Sequence, residues 1–229
     1  MRQRAVGVAM TILMAGTTAS DAQRAQSFDL YEATIPDIQR ALHSRRITTV
    51  GVVEQYLRRI KAYNGTCVSE PQGILGPVTT IPRAGQINAL STLNLRPAAL
   101  ARWGFDARKA RSMTDRTDNA AGMPDALETA AAQDRTFART GRLVGPLHGA
   151  IIAIKDQYDT KDMRTTSGAD VPYANDRPPD DATFVGKLRA AGAIILAKAN
   201  LGEYASGGLR HDGVLNVDDR GSRRLGYRP

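Results

Sequence analysis

The residue whose type and setting could do chemistry is Lys155. It follows Gly145-Pro146-Leu147-His148-Gly149 and an apolar run over 150–154, and it precedes Asp156. The run is short, rich in β-branched residues and bounded by glycine, the pattern of a strand buried on both faces. An ammonium at the end of such a strand carries a desolvation cost unless it is paired or neutral. Two environments meet that condition. In one, the stem covers apolar surface and the head reaches water. In the other, the lysine sits in a dry pocket where desolvation favours the neutral amine, which can then serve as a base.

Other reactive side chains offer less. Cys67 is the single cysteine, so no intrachain disulfide can form, and no base stands near it in sequence to make it a nucleophile. His43, His148 and His211 show no metal-ligand spacing, there is no Cys-x-x-Cys, and no metal or cofactor is expected. Ser206-Gly207-Gly208 is not a phosphate loop, and no G-x-G-x-x-G follows either apolar run. Thr165-Thr166-Ser167-Gly168 could lend hydroxyls to a pocket, but reads first as a turn.

Several of these pieces stand together in one order. Gly-Pro-Leu-His-Gly at 145–149, Ile-Lys-Asp at 154–156, Thr-Thr-Ser-Gly at 165–168 and Asp181-Ala182 are followed by Leu-Arg-Ala-Ala-Gly-Ala-Ile-Ile-Leu at 188–196 and Lys-Ala-Asn-Leu-Gly-Glu-Tyr at 198–204. In order and spacing this resembles the amidase signature family over about sixty residues. The resemblance implies an α/β fold, a mixed sheet with flanking helices, incomplete in this chain. It also implies a Ser–cis-Ser–Lys triad in which Lys155 is the catalytic lysine. The two serines would lie in a Gly-Ser-Ser-Gly-Gly-Ser-like loop farther on. Here the family pattern fades after Gly208, residues 209–229 hold Ser222 as their one serine, and Gly221-Ser222-Arg223-Arg224 puts arginines where glycine amides should bind an oxyanion.

The resulting expectation is an exported amidase-family hydrolase that cleaves carboxamide C–N bonds in a small-molecule amide by serine acyl transfer. The chain is expected to be truncated or frame-shifted before the serine loop, with 209–229 a divergent tail, and inactive alone. The alternatives are a non-catalytic remnant or binding module, and a relative of the amidase component of the tRNA-dependent amidotransferases.

The elements that must position Lys155 can be read from the remaining pattern. Residues 1–22 resemble a signal peptide: Arg2 and Arg4, an apolar run over 5–15 too short to span a bilayer, and small residues Ser20 and Ala22 at a cleavage site. That predicts a periplasmic or secreted protein with no membrane contact after leader removal, leaving 23–208 as the N-terminal part of an amidase domain. Thr34 and Thr49 can cap two helices, the first carrying Ile35, Ile38 and Leu42 on one face, the second Val53, Tyr56, Leu57, Ile60 and Tyr63. A strand-forming stretch over 86–95, a helix over 97–111, a polar loop over 114–124 and an alanine-rich helix over 125–140 lead to Gly145. Asp181 should cap a helix that ends at Gly192, and 193–197 should form a second buried strand, giving a βαβ unit with parallel strands.

With 42% hydrophobic residues the chain can bury a core. The net charge of +8 is spread out, with no basic run longer than a pair and no interleaved aromatics, so no nucleic-acid partner is expected. Oligomeric state is not legible.

Overall fold

The first helix shows how local chemistry sets the frame. In the computed structural model, Thr34 accepts a hydrogen bond from the Asp37 amide, the Asp37 carboxylate reaches back to the Thr34 amide, and α1 (Ile35–His43) follows from this reciprocal cap. The structure describes residues 28–64, 68–69, 79–80, 87, 89–168 and 176–202. The leader, Cys67, His211 and the tail at 209–229 lie outside them.

Helix α2 (Thr49–Tyr63) starts one residue earlier than its sequence suggests. Thr48, not Thr49, is the N-cap, accepting from the Gly51 amide. Thr49 is buried inside the first turn, where its hydroxyl has another partner (below). Of the expected stripe, Val53 and Leu57 are buried, Tyr56 and Ile60 pack at the core's edge, and Tyr63 is exposed. Val68–Ser69 (β1) and Thr79–Thr80 (β2) form a short antiparallel pair.

The sheet that carries the site has three strands among the described residues: β3 (Leu90–Leu93), β4 (Ile151–Lys155) and β5 (Ile194–Ala199), in the order β3-β5-β4. β4 runs parallel to β5 and β3 runs antiparallel to it, so the sheet is mixed. The chain between β4 and β5 includes α5 (Thr183–Ala190), the expected βαβ unit. β5 is central and buried along its length. The expectation that β4 is buried on both faces fails: it is the sheet's edge among the described strands, and Ala153 and Lys155 are exposed.

Two faces are covered differently. α2, α3 (Pro97–Arg102) and α4 (Ala126–Thr140) contribute Val53, Leu57, Leu100 and Ala130 to a core shared with Leu93, Ile194, Leu196 and Ala197. On the other side Ile154 and Ile195 pack with Met163 and with Val185 of α5. Leu196 and Ala197 share one face because the β4–β5 register shifts between Ile152 and Ala153. One extra residue in β5 reverses the alternation beyond it. Lys198, paired with Ile154, therefore points to the α5 side, and Lys155, paired with Ala199, continues the opposite face of Ala153.

Three further expectations shift. The helix over 97–111 is α3 plus a separate 3-10 turn at Ala107–Lys109, because Gly104 takes a φ of 68° between them. α5 is capped by Ala182 with no side-chain bond, since Asp181 is engaged elsewhere: it accepts from the Lys161 amide and pairs with Arg189. Asp125 does cap α4, with Glu128 completing the reciprocal pair, and Gly192 is left-handed, with a φ of 95°, as the end of α5 requires.

Candidate active site

Lys155 closes β4 at the C-terminal ends of the parallel strands, where open α/β sheets bind ligands. Its main chain is held on both sides: the Asp156 amide donates to Ala199 O at 2.9 Å, and the Tyr158 amide donates to Lys155 O at 3.0 Å. Its side chain is exposed. The dry surroundings expected of it are found instead around a second lysine, 43 positions on, that the sequence did not single out.

Lys198 is completely buried, and so is Asp156, whose Oδ1 lies 3.4 Å from Lys198 Nζ. The ammonium donates to Tyr158 O at 2.6 Å and to Thr165 Oγ1 at 2.9 Å. Burial pushes its pKa below the ordinary lysine value, and the neighbouring Asp156 carboxylate opposes that shift. Asp156 in turn accepts the Thr166 amide at 3.3 Å and the Thr166 hydroxyl. Thr165-Thr166-Ser167-Gly168 is thus a turn whose first two hydroxyls face inward onto a charge pair. Ser167 and Gly168 carry φ values of 54° and 72°, and a Cβ on Gly168 would lie 2.5 Å from Leu201 O.

The Gly-Pro-Leu-His-Gly segment positions β4. The Leu147 amide donates to Ala191 O at 2.8 Å, an approach so close that a Cβ on Gly145 would lie 2.4 Å from the same oxygen. Gln39 of α1 donates to Pro146 O at 2.9 Å. His148 is buried; its Nδ1 accepts from the Val144 amide at 3.0 Å, so Nε2 carries the proton and donates to Thr49 Oγ1 at 3.1 Å. Desolvation lowers its pKa below the free-histidine value, opposed by Asp134 and aided by His43. This histidine joins α2 to the segment before β4 and has no exposed nitrogen to offer a substrate.

The polar segment between α3 and α4 is held by charge. Arg111 and Asp118 are buried and meet through two bonds of 2.7 Å, Nε to Oδ2 and Nη2 to Oδ1. Arg111 Nη1 also donates to Asn94 Oδ1 and to Met123 O, while Arg177 Nη1 donates to Asp118 at 3.3 Å. Arg111 O accepts the Arg164 amide at 2.7 Å, which ties this cluster to the loop that ends in Thr165-Thr166. Among the described residues, no group of three or more His, Cys, Asp or Glu could hold a metal ion.

Comparison with known proteins places this geometry. Residues 107–211 match the Amidase family. The amidase component of the glutamyl-tRNA(Gln) amidotransferase of Alkaliphilus metalliredigens (strain QYMF) is 30% identical over 186 residues, which cover 81% of this chain and 28% of that one. Among solved structures, the native peptide amidase of Stenotrophomonas maltophilia is 28% identical with a TM-score of 0.50, covering 76% of this chain and 26% of the other. The peptide amidase PAM in complex with the competitive inhibitor chymostatin is 27% identical with a TM-score of 0.55, covering 88% and 31%. The chain spans less than a third of the length of these relatives. By the match at 107–211 and by the mixed α/β fold it shares with the peptide amidases, the chain belongs to the amidase signature family.

Proposed function

We propose that this chain carries the lysine-bearing part of a hydrolase of amide C–N bonds, with Lys155 as the group that takes a proton from an attacking serine. The observation that carries the reading is the position of Lys155: in the Ile-Lys-Asp of the signature, at the C-terminal end of a parallel strand, with its main chain hydrogen-bonded on both sides. An amine accepts a proton only when neutral, and an oxyanion must be met by preorganised donors. The 229 residues contain no Gly-Ser-Ser-Gly-Gly-Ser run to supply the serines or those donors. The 229-residue chain by itself therefore releases no ammonia from simple carboxamides. The test is that assay: turnover by the purified chain, abolished by Lys155→Ala, contradicts the division of labour proposed here.

The substrate class that the peptide amidase likeness favours is a small molecule or peptide with a terminal carboxamide. A second reading is favoured by the identity to the glutamyl-tRNA(Gln) amidotransferase: amide hydrolysis within an assembly rather than by a separate enzyme. Arg2, Arg4 and the apolar run over 5–15 favour export and so the first reading. Sequencing the N-terminus of the protein from its native cell separates the two, since a mature chain starting near Gln23 is exported.

A further inference from the structure

A catalytic amine is useful only if its main chain stays in one place, and a buried device lies directly behind Lys155. Asp156 and Lys198 have no solvent exposure and face each other at 3.4 Å. Their polar partners are spread along one loop: Tyr158 O and Thr165 Oγ1 accept from Lys198, and the Thr166 amide and hydroxyl donate to Asp156. The loop over 156–168 is therefore fastened to β5 near its start and at its end. A buried ion pair is weak as a source of stability, because apolar residues of like volume do as well or better. What it supplies is direction, since each bond fixes one atom.

We propose that Asp156 and Lys198 are positioning residues for Lys155, clamping the loop 156–168 onto the C-terminal ends of β4 and β5 so that the backbone from which Lys155 projects cannot shift. The chain of contacts is short. Tyr158, held through its carbonyl by Lys198, donates its amide to Lys155 O. Asp156 donates its amide to Ala199 O, next to Lys198 in β5, and its own carbonyl accepts the Ser167 amide at 3.1 Å. The inference rests on the reading of Lys155 as the proton acceptor, but its test does not pass through turnover.

Amide-resolved hydrogen exchange on the 229-residue chain decides it, comparing the wild type with Thr166→Val, Thr166→Ser and Lys198→Met. Loss of a charge-assisted bond at Thr166→Val or Lys198→Met should speed exchange at the Asp156, Tyr158 and Ser167 amides about tenfold or more. The α2 and α4 amides should stay within about twofold of the wild type, because the opening is local. Thr166→Ser keeps the hydroxyl and should restore wild-type protection. If Lys198→Met does not fold, the two Thr166 variants decide alone. Unchanged exchange at the three amides in Thr166→Val overturns the proposal, and so does an equal loss of protection throughout the chain. Failure of the Lys155 reading is seen separately, as hydrolysis that survives Lys155→Ala.

Discussion

Replacing Asp118 by asparagine should cost more stability than replacing its partner Arg111 by methionine, although both changes break the same bonds. Asp118 takes a φ of 43°, which asparagine tolerates, so Asp118→Asn removes charge and leaves the backbone as it was. Arg111 is 1% exposed and cannot shed its proton, so in this variant it stays charged in the interior with neutral partners: Asn94 Oδ1, Met123 O and the new amide oxygen. Leaving one member of a buried pair uncompensated costs about 3–5 kcal/mol. In Arg111→Met the carboxylate left behind still has Arg177 at 3.3 Å and Arg96 at 3.8 Å, and methionine fills much of the vacated volume. About 1–2 kcal/mol is expected for that variant, at the low end for a lost charged hydrogen bond. At about 2–4 °C per kcal/mol for a chain of this size, the two midpoints should be separated by several degrees. Thermal and urea unfolding of both variants measures the difference. Equal losses, or a larger loss in Arg111→Met, would show that Arg177 and Arg96 do not compensate Asp118 as the geometry requires.

Other outcomes follow from single contacts. Gly145→Ala should destabilise far more than Gly141→Ala, because its Cβ would lie 2.4 Å from Ala191 O while Gly141, of positive φ, has nothing within 4 Å. Only the conformational cost of about 1–2 kcal/mol applies at Gly141, and comparing the two unfolding midpoints checks this. His148 has a folded pKa below its ordinary 6.5, so it favours the neutral form in the fold. The unfolded chain then binds the extra proton first, and stability should be complete above about pH 6.5 and fall as pH drops toward the lowered folded value. Protonation would also turn Nδ1 from acceptor to donor against the Val144 amide. Midpoints recorded from pH 8 to pH 5 should show this slope in the wild type and a shallower one in His148→Gln; equal slopes would assign the pH dependence to other groups.

How much of the fold and site was legible in the sequence depended on range. Caps and periodicity are local, and they gave α1, α4, the end of α5 at Gly192 and both apolar strands. Thr49 and Asp181 misled because threonine and aspartate make side-chain bonds elsewhere as readily as at a cap: Thr49 is claimed by His148, Asp181 by Lys161 and Arg189. The signature spacing pointed to Lys155 but could not report its exposure, since β4's neighbours in the sheet are set by pairing across the chain. Lys198 was missed for a sharper reason. Alternation counted from Ile195 sends it to the α2 side, and only the register shift against β4 turns it toward Asp156. A one-residue bulge leaves no mark in composition. The Arg111–Asp118 pair was likewise hidden in a stretch read as the end of a helix and a polar loop, because a buried ion pair and a solvated one are written with the same residues.

The claim on which the functional account stands is that Lys155, rather than the buried Lys198, is the amine that moves the proton. It is tested most directly by ammonia release from a carboxamide, catalysed by a polypeptide that carries the serine loop together with residues 28–202, before and after Lys155→Ala. A loss of about 10²–10⁴ in kcat, the range for removing a positioned general base, is the expected result. Turnover retained in Lys155→Ala would contradict it.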